Sequence, residues 1–112
     1  MYKRKARILF IGMHSVFLRL TCQLLDTHGG DWLEGRWHEL LADGSLPSEH
    51  MDWADLLVTL DEASYRWLQR GRCWLPVRRW TLPQDSGEIH AYLQRQLSSM
   101  AAGMRMLARQ GG

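Results

Sequence analysis

Four consecutive apolar residues near the amino terminus restrict the fold more than any other part of the chain. Ile8-Leu9-Phe10-Ile11, entered from Arg7 and closed by Gly12, is an unbroken run rich in β-formers. A strand exposed on one face alternates apolar and polar side chains. A run without alternation needs cover on both faces, as a central strand of a parallel sheet has. After Gly12 the period changes. Val16, Phe17, Leu20 and Leu24 recur at helical spacing, Ser15 is placed to cap the helix, and Gly29-Gly30 stops it. The chain therefore opens as strand, short loop, helix.

The remaining segments extend this alternation. Asp31 to Leu41 is predicted as a second helix, with Asp31 and Glu34 in capping-box spacing and Leu33, Trp37, Leu40 and Leu41 on one side. Ala42 to Asp52, with Asp43-Gly44, Ser45 and Pro47, is a turn-rich connector. Ala54 to Leu60 is the next strand, Asp61 caps a helix through Arg70, and Cys73 to Val77 is a short strand that Pro76 confines to an edge. Asp85 and Glu88 form another capping box, ahead of a long amphipathic helix through Ile89, Leu93, Leu97, Met100, Met104 and Leu107. The fold class expected is α/β, a three-layer sandwich in which a small parallel sheet of about four strands is flanked by helices. At 112 residues, one domain over 1–112 is expected.

Composition removes several function classes. No apolar run approaches the roughly 20 residues that cross a bilayer, and Met1-Tyr2-Lys3-Arg4-Lys5 leads into too short an apolar stretch for a signal peptide. Cys22 and Cys73 make neither a disulfide framework nor a zinc-binding spacing, so a reducing cytoplasm is the expected compartment. His28, His38, His50 and His90 show no mutual ligand spacing, and no metal or cofactor is expected. The net charge of +2 hides an asymmetry. Residues 1–19 carry five cations and no acid, residues 20–62 ten acids and one cation, and residues 63–112 eight cations and two acids. Such a distribution either creates an anion-attracting face or places a basic and an acidic segment side by side.

Ligands of open parallel sheets bind beyond the carboxyl ends of the strands, where a loop entering a helix gathers N–H groups that suit an anion. Here that loop spans residues 12–18. At this point the chain resembles the low-molecular-weight protein tyrosine phosphatases and the arsenate reductases that share their fold, the phosphotyrosine protein phosphatase I-like fold. Three blocks carry the resemblance. The first is Ile8-Leu9-Phe10-Ile11 with its loop and the helix containing Cys22-Gln23-Leu24-Leu25. The second is Ala54-Asp55-Leu56-Leu57-Val58-Thr59-Leu60-Asp61-Glu62-Ala63. The third is Trp80-Thr81-Leu82-Pro83-Gln84 with the long last helix. The chain is shorter than the family's usual length, and the deficit falls between residues 26 and 52, where a strand is expected to be lost or replaced.

The resemblance implies a phosphate loop of Cys, five residues, Arg and Ser, in which the cysteine attacks as a thiolate while N–H groups and the arginine hold the oxyanion. Aligned without gaps, Gly12 stands at the cysteine and Leu18 at the arginine. A shift of one brings Arg19 into register and puts Met13 at the nucleophile. Neither register supplies a thiolate. The family's general acid is an aspartate near the last strand, and Gln84 stands there with Asp85 beside it. The expected function is thus a catalytically impaired phosphatase-like domain acting as a binding or regulatory module, with an anion such as phosphate or sulfate at Gly12, Met13, His14, Ser15 and Arg19. The alternative is a divergent active phosphatase or arsenate reductase-like enzyme with a relocated nucleophile, for which Cys22, Cys73, His14 and Asp85 are the candidates. Arg70, Arg72, Arg78 and Arg79 with Trp74 and Trp80 would serve a nucleic-acid binder or guard an edge strand with charge; no nucleic-acid motif accompanies them, and no nucleic-acid partner is expected. Six tryptophans, at 32, 37, 53, 67, 74 and 80, exceed what so small a core absorbs if all face inward, and an exposed aromatic patch would favour a protein partner or a homodimer.

Overall fold

The computed structural model describes residues 4–40, 46–71 and 73–111. The strands are β1 (Ala6–Gly12), β2 (Leu33–Glu39), β3 (Leu56–Thr59) and β4 (Val77–Arg79). The helices are α1 (Ser15–His28), α2 (Ser48–Trp53), α3 (Glu62–Arg70) and α4 (Ser86–Gly111). The four strands form one parallel sheet in the order β2-β1-β3-β4. Among the described residues no helix is long and apolar enough to cross a membrane.

β1 takes the central place that its unbroken apolar run demands. Leu9, Phe10 and Ile11 have no exposed area and Ile8 retains only 2%. Because side chains alternate along a strand, Ile8 and Phe10 join one core with Leu18, Leu25, Val58, Leu93 and Leu97, beneath α1 and α4. Leu9 and Ile11 join the opposite core with Met51, Leu57 and Leu68, beneath α2 and α3. Burying each such side chain contributes about 1.5–3 kcal/mol, so β1 anchors both layers. This is the expected three-layer α/β arrangement.

Residues 31–41 do not form the predicted helix. They contain β2, which pairs with β1 from Ala6↔Leu33 to Gly12↔Glu39, so the strand expected to be lost is present. Leu33, Trp37 and Leu40 suit a helix by spacing, but the same segment also alternates. Leu33 and Trp37 pack toward α1, while Arg36 stacks on Trp53 at 4.3 Å and His38 meets His50 at 5.3 Å on the α2 side. Seven residues of ladder with a buried strand outweigh an isolated capping box interrupted by a glycine. Gly35 packs closely against α1. A Cβ there would lie 3.0 Å from Leu25 Cδ1 and 3.4 Å from Phe10 Cε2.

The other boundaries move less. The second half of the predicted connector is helix α2, and the rest of it around Asp43-Gly44 and Ser45 lies outside the described residues, as do Leu41 and Arg72. The last strand begins at Val77 rather than Cys73 and stays at the edge. Ser15 is the first residue of α1 and not its cap; His14 takes that position without a side-chain cap bond. Asp61 caps α3 as expected, its Oδ1 accepting from the Ser64 N–H at 2.9 Å. Asp85 stands before α4 and accepts from the Gly87 N–H at 2.9 Å.

Strand propensity alone favours Val over Gly at position 35, whereas a larger side chain there would press on Leu25 of α1 and on Phe10. Gly35→Val is expected to destabilise the protein by about 1–3 kcal/mol in urea denaturation, the range for overpacking. An unchanged or raised midpoint would show that β2 does not press on α1 as described.

Candidate functional site

The carboxyl ends of β1, β3 and β4 meet at a pocket of about 280 Å³ lined by His14, Phe17, Asp61, Arg79, Trp80 and Leu82, among others. It opens beside the loop between β1 and α1, where ligands of this class of sheet bind. The loop is held from both sides. Gly12 accepts from the Leu40 N–H at 2.9 Å through its carbonyl oxygen. Met13 donates its N–H to Asp61 Oδ2 at 2.7 Å, and Ser15 donates its N–H to Glu39 Oε2 at 2.8 Å. One carboxylate comes from the end of β3 and the other from the end of β2. Both are half-buried.

These bonds follow from helix electrostatics. The first turn of α1 has N–H groups with no partner inside the helix and a partial positive charge, and α1 has no acidic residue in that turn. With no cap from His14, Glu39 supplies the missing acceptor across the sheet. Asp61 does the same for Met13 while its other oxygen caps α3, so a single side chain ties β1 to α3. The N–H groups of Met13 and Ser15 thus already face anionic oxygens.

The site residues expected from sequence are placed as follows. Gly12 is buried, and a Cβ on it would stand 3.2 Å from Asp61 Oδ2 and 3.4 Å from Leu18 Cδ2, so a thiolate at this position would sit against a carboxylate. Leu18, in register with the phosphatase arginine, is fully buried core. Arg19 is exposed and lies over the Trp37 ring at 5.8 Å, on the β2 side of α1. His14 reaches the pocket and meets Phe17 edge-on, with ring centroids 6.2 Å apart. Asp85 is engaged at the start of α4 and does not line the pocket.

Neither cysteine lines the pocket. Cys22 packs beneath β2, 3.6 Å from where a Cβ on Gly35 would be. Burial pushes its thiol up to about 12, with the nearby Asp26 carboxylate adding to the rise. Cys73 donates to the Leu75 carbonyl at 3.6 Å and borders a separate pocket of about 250 Å³ beside Tyr65 and Leu68. The histidines without ligand spacing in the sequence include a spatial pair, His38 and His50, and burial followed by the His38 charge lowers the His50 pKa. No group of three or more potential metal ligands occurs among the described residues.

Charge and aromatic residues are dispersed. Arg4 forms a bidentate pair with Asp55 at 2.7 and 2.8 Å, Arg7 approaches Glu34 at 3.8 Å, and Arg79 reaches Glu62 at 3.3 Å. The basic and acidic segments therefore partly face each other. Trp80 is core, 5.7 Å from Phe10, whereas Trp74 is 67% exposed, so the two do not form one stacking platform. Trp32, Trp37, Trp53 and Trp67 are half-buried. Sequence reasoning missed Glu39, placed Arg79 in a nucleic-acid candidate rather than at this pocket, and saw Asp61 only as a cap. The position of Asp61, just past the apolar run of β3, was the available signal, because strand ends in a parallel sheet point at the site.

No protein-family model matches the chain, and no curated protein matches it. Among solved structures, a thioredoxin-dependent arsenate reductase of Corynebacterium glutamicum superimposes with a TM-score of 0.70 at 14% identity. The match covers 95% of this chain and 65% of that one, so this chain spans about two-thirds of the reductase's length.

Two outcomes test this geometry. Asp61→Ala removes acceptors from Met13 and Ser64 together and is expected to cost about 2 kcal/mol, against about 1 kcal/mol for Glu39→Ala, by thermal or urea denaturation. Equal and negligible losses would contradict the bonds described. Cys22 should react slowly with iodoacetamide at neutral pH in the folded protein. Its folded pKa lies above the ordinary 9.0, so the unfolded chain loses the proton first, and stability should fall as pH rises through 9. Cys22→Ala should lack that part of the alkaline decline. The four-stranded parallel fold on which these residues are displayed is the one shared by low-molecular-weight protein tyrosine phosphatases and arsenate reductases.

Proposed function

We propose that this protein is a phosphatase-fold domain without thiolate chemistry that acts as a binding or regulatory module. One observation carries the reading: the carboxylates of Asp61 and Glu39 occupy the N–H groups of Met13 and Ser15, which an oxyanion would need. A phosphate in the loop would meet both acids. At about 5 Å and an effective dielectric near 20, each pair of like charges costs roughly 3 kcal/mol. The helix amino terminus returns only about 0.3–1 kcal/mol, so repulsion wins while both acids are ionised.

In this reading the anion site at Gly12, Met13, His14, Ser15 and Arg19 is closed by internal carboxylates, and Arg19 serves packing against Trp37. The chemistry of the structural neighbour, named an arsenate reductase, does not carry over. A protonated, buried thiol at Cys22 is a poor nucleophile, and Asp85 has its oxygen engaged at α4. What remains is a shaped pocket on a rigid sheet.

Purified protein is expected to show no turnover of p-nitrophenyl phosphate above background, and millimolar phosphate should leave the Met13 and Ser15 amide resonances unmoved. Turnover abolished by substituting Cys22, Cys73 or His14 would overturn the proposal in favour of a divergent enzyme.

A further inference from the structure

A second concavity, about 900 Å³, lies at the other end of the sheet from the loop, between the amino-terminal ends of β1 and β3 and the carboxyl-terminal half of α4. Its floor is apolar, made by Ile8, Leu56, Trp80, Met100 and Met104. Ala101 of α4 is buried, whereas beyond it Met106 and Leu107 are 58% and 59% exposed while still lining the groove. The apolar stripe of α4 therefore runs past the sheet it covers. Exposed methionines are unusual in one respect: their flexible, polarizable side chains can repack around differently shaped apolar partners.

The rim has a definite charge. Lys5 and Arg78 border the groove and are exposed. Arg4 adds a further cation, and Asp55, the one acid among the described residues that line the groove, accepts from Arg4 and from the Arg7 N–H. The groove runs along α4 from Gln96 to Leu107, about 17 Å at 1.5 Å per residue, or some three helical turns.

We propose that this groove docks an acidic amphipathic helix of a partner protein, apolar residues at i, i+3 or i+4, and i+7 entering among the methionines while glutamates or aspartates face Lys5 and Arg78. Length, floor and rim fit that occupant together. A second copy related by a two-fold axis would bring the same cations against each other. A bilayer surface suits a flat or convex apolar face, whereas this one is concave. The inference concerns a different surface from the loop and holds whether or not the protein retains chemistry there.

The test uses the intact chain and a capped synthetic peptide of about 18 residues, long enough for stable helix, with leucines at heptad-like spacing and glutamates elsewhere. A second peptide replaces the glutamates with lysines. The glutamate peptide should bind with micromolar affinity by calorimetry and shift the methyl resonances of Met100, Met104 and Met106. Binding should weaken by about tenfold in Lys5→Glu/Arg78→Glu, whose exposed side chains leave the core untouched, and the lysine peptide should not bind. Leu107→Glu, also at an exposed position, should weaken it independently. Equal binding of both peptides, or none by either, overturns the proposal. So do methyl shifts that arise only with phosphatidylcholine–phosphatidylglycerol vesicles or only with rising protein concentration.

Discussion

A strand covered on both faces has no solvent to satisfy its backbone, so its N–H and C=O groups must find partner strands on both edges. β1 meets this requirement with β2 on one side and β3 on the other, and each pairing is parallel. The rest of the architecture follows from that constraint. Parallel neighbours need crossovers, the crossovers are the helices, and the helices cover the two apolar faces that β1 presents. Loss of the Ile8–Ile11 core would remove the common wall of both hydrophobic clusters at once.

Parallel strands also put all their carboxyl ends on one side, so the loop after β1, the end of β2 and the end of β3 are neighbours without being close in sequence. Asp61 lies 48 residues from Met13 and Glu39 lies 24 from Ser15. A helix start in this position gathers N–H groups whatever its side chains are. Related folds can present such groups to a ligand. Here the chain's own acids take them, and the loop becomes a structural joint between the sheet and both helical layers.

At the opposite end of the sheet, the balance is reversed. Cations border the apolar surface that α4 leaves uncovered, whereas acids face the loop. The net charge of +2 conveys nothing of this polarity, since folding sorts charges that the linear order only groups. The ion pairs Arg4–Asp55 and Arg79–Glu62 are largely exposed, and such pairs contribute little to stability. Their larger effect is to decide which charges remain available at each end.

Local pattern by itself determined β1, α1, the Asp61 cap and α4, because each depends on periodicity or on a cap within a few residues. It also determined that no thiol falls at the loop. β2 was illegible. Leu33 and Trp37 satisfy a helical spacing as well as one face of a strand, and only pairing with a buried neighbour more than twenty residues away distinguishes the two. The Glu39 and Asp61 bonds, the His38–His50 pair and the methionine groove were likewise decided by tertiary structure. Each joins residues whose proximity comes from the sheet order, and strand order is set by the burial of whole faces rather than by any local sequence signal.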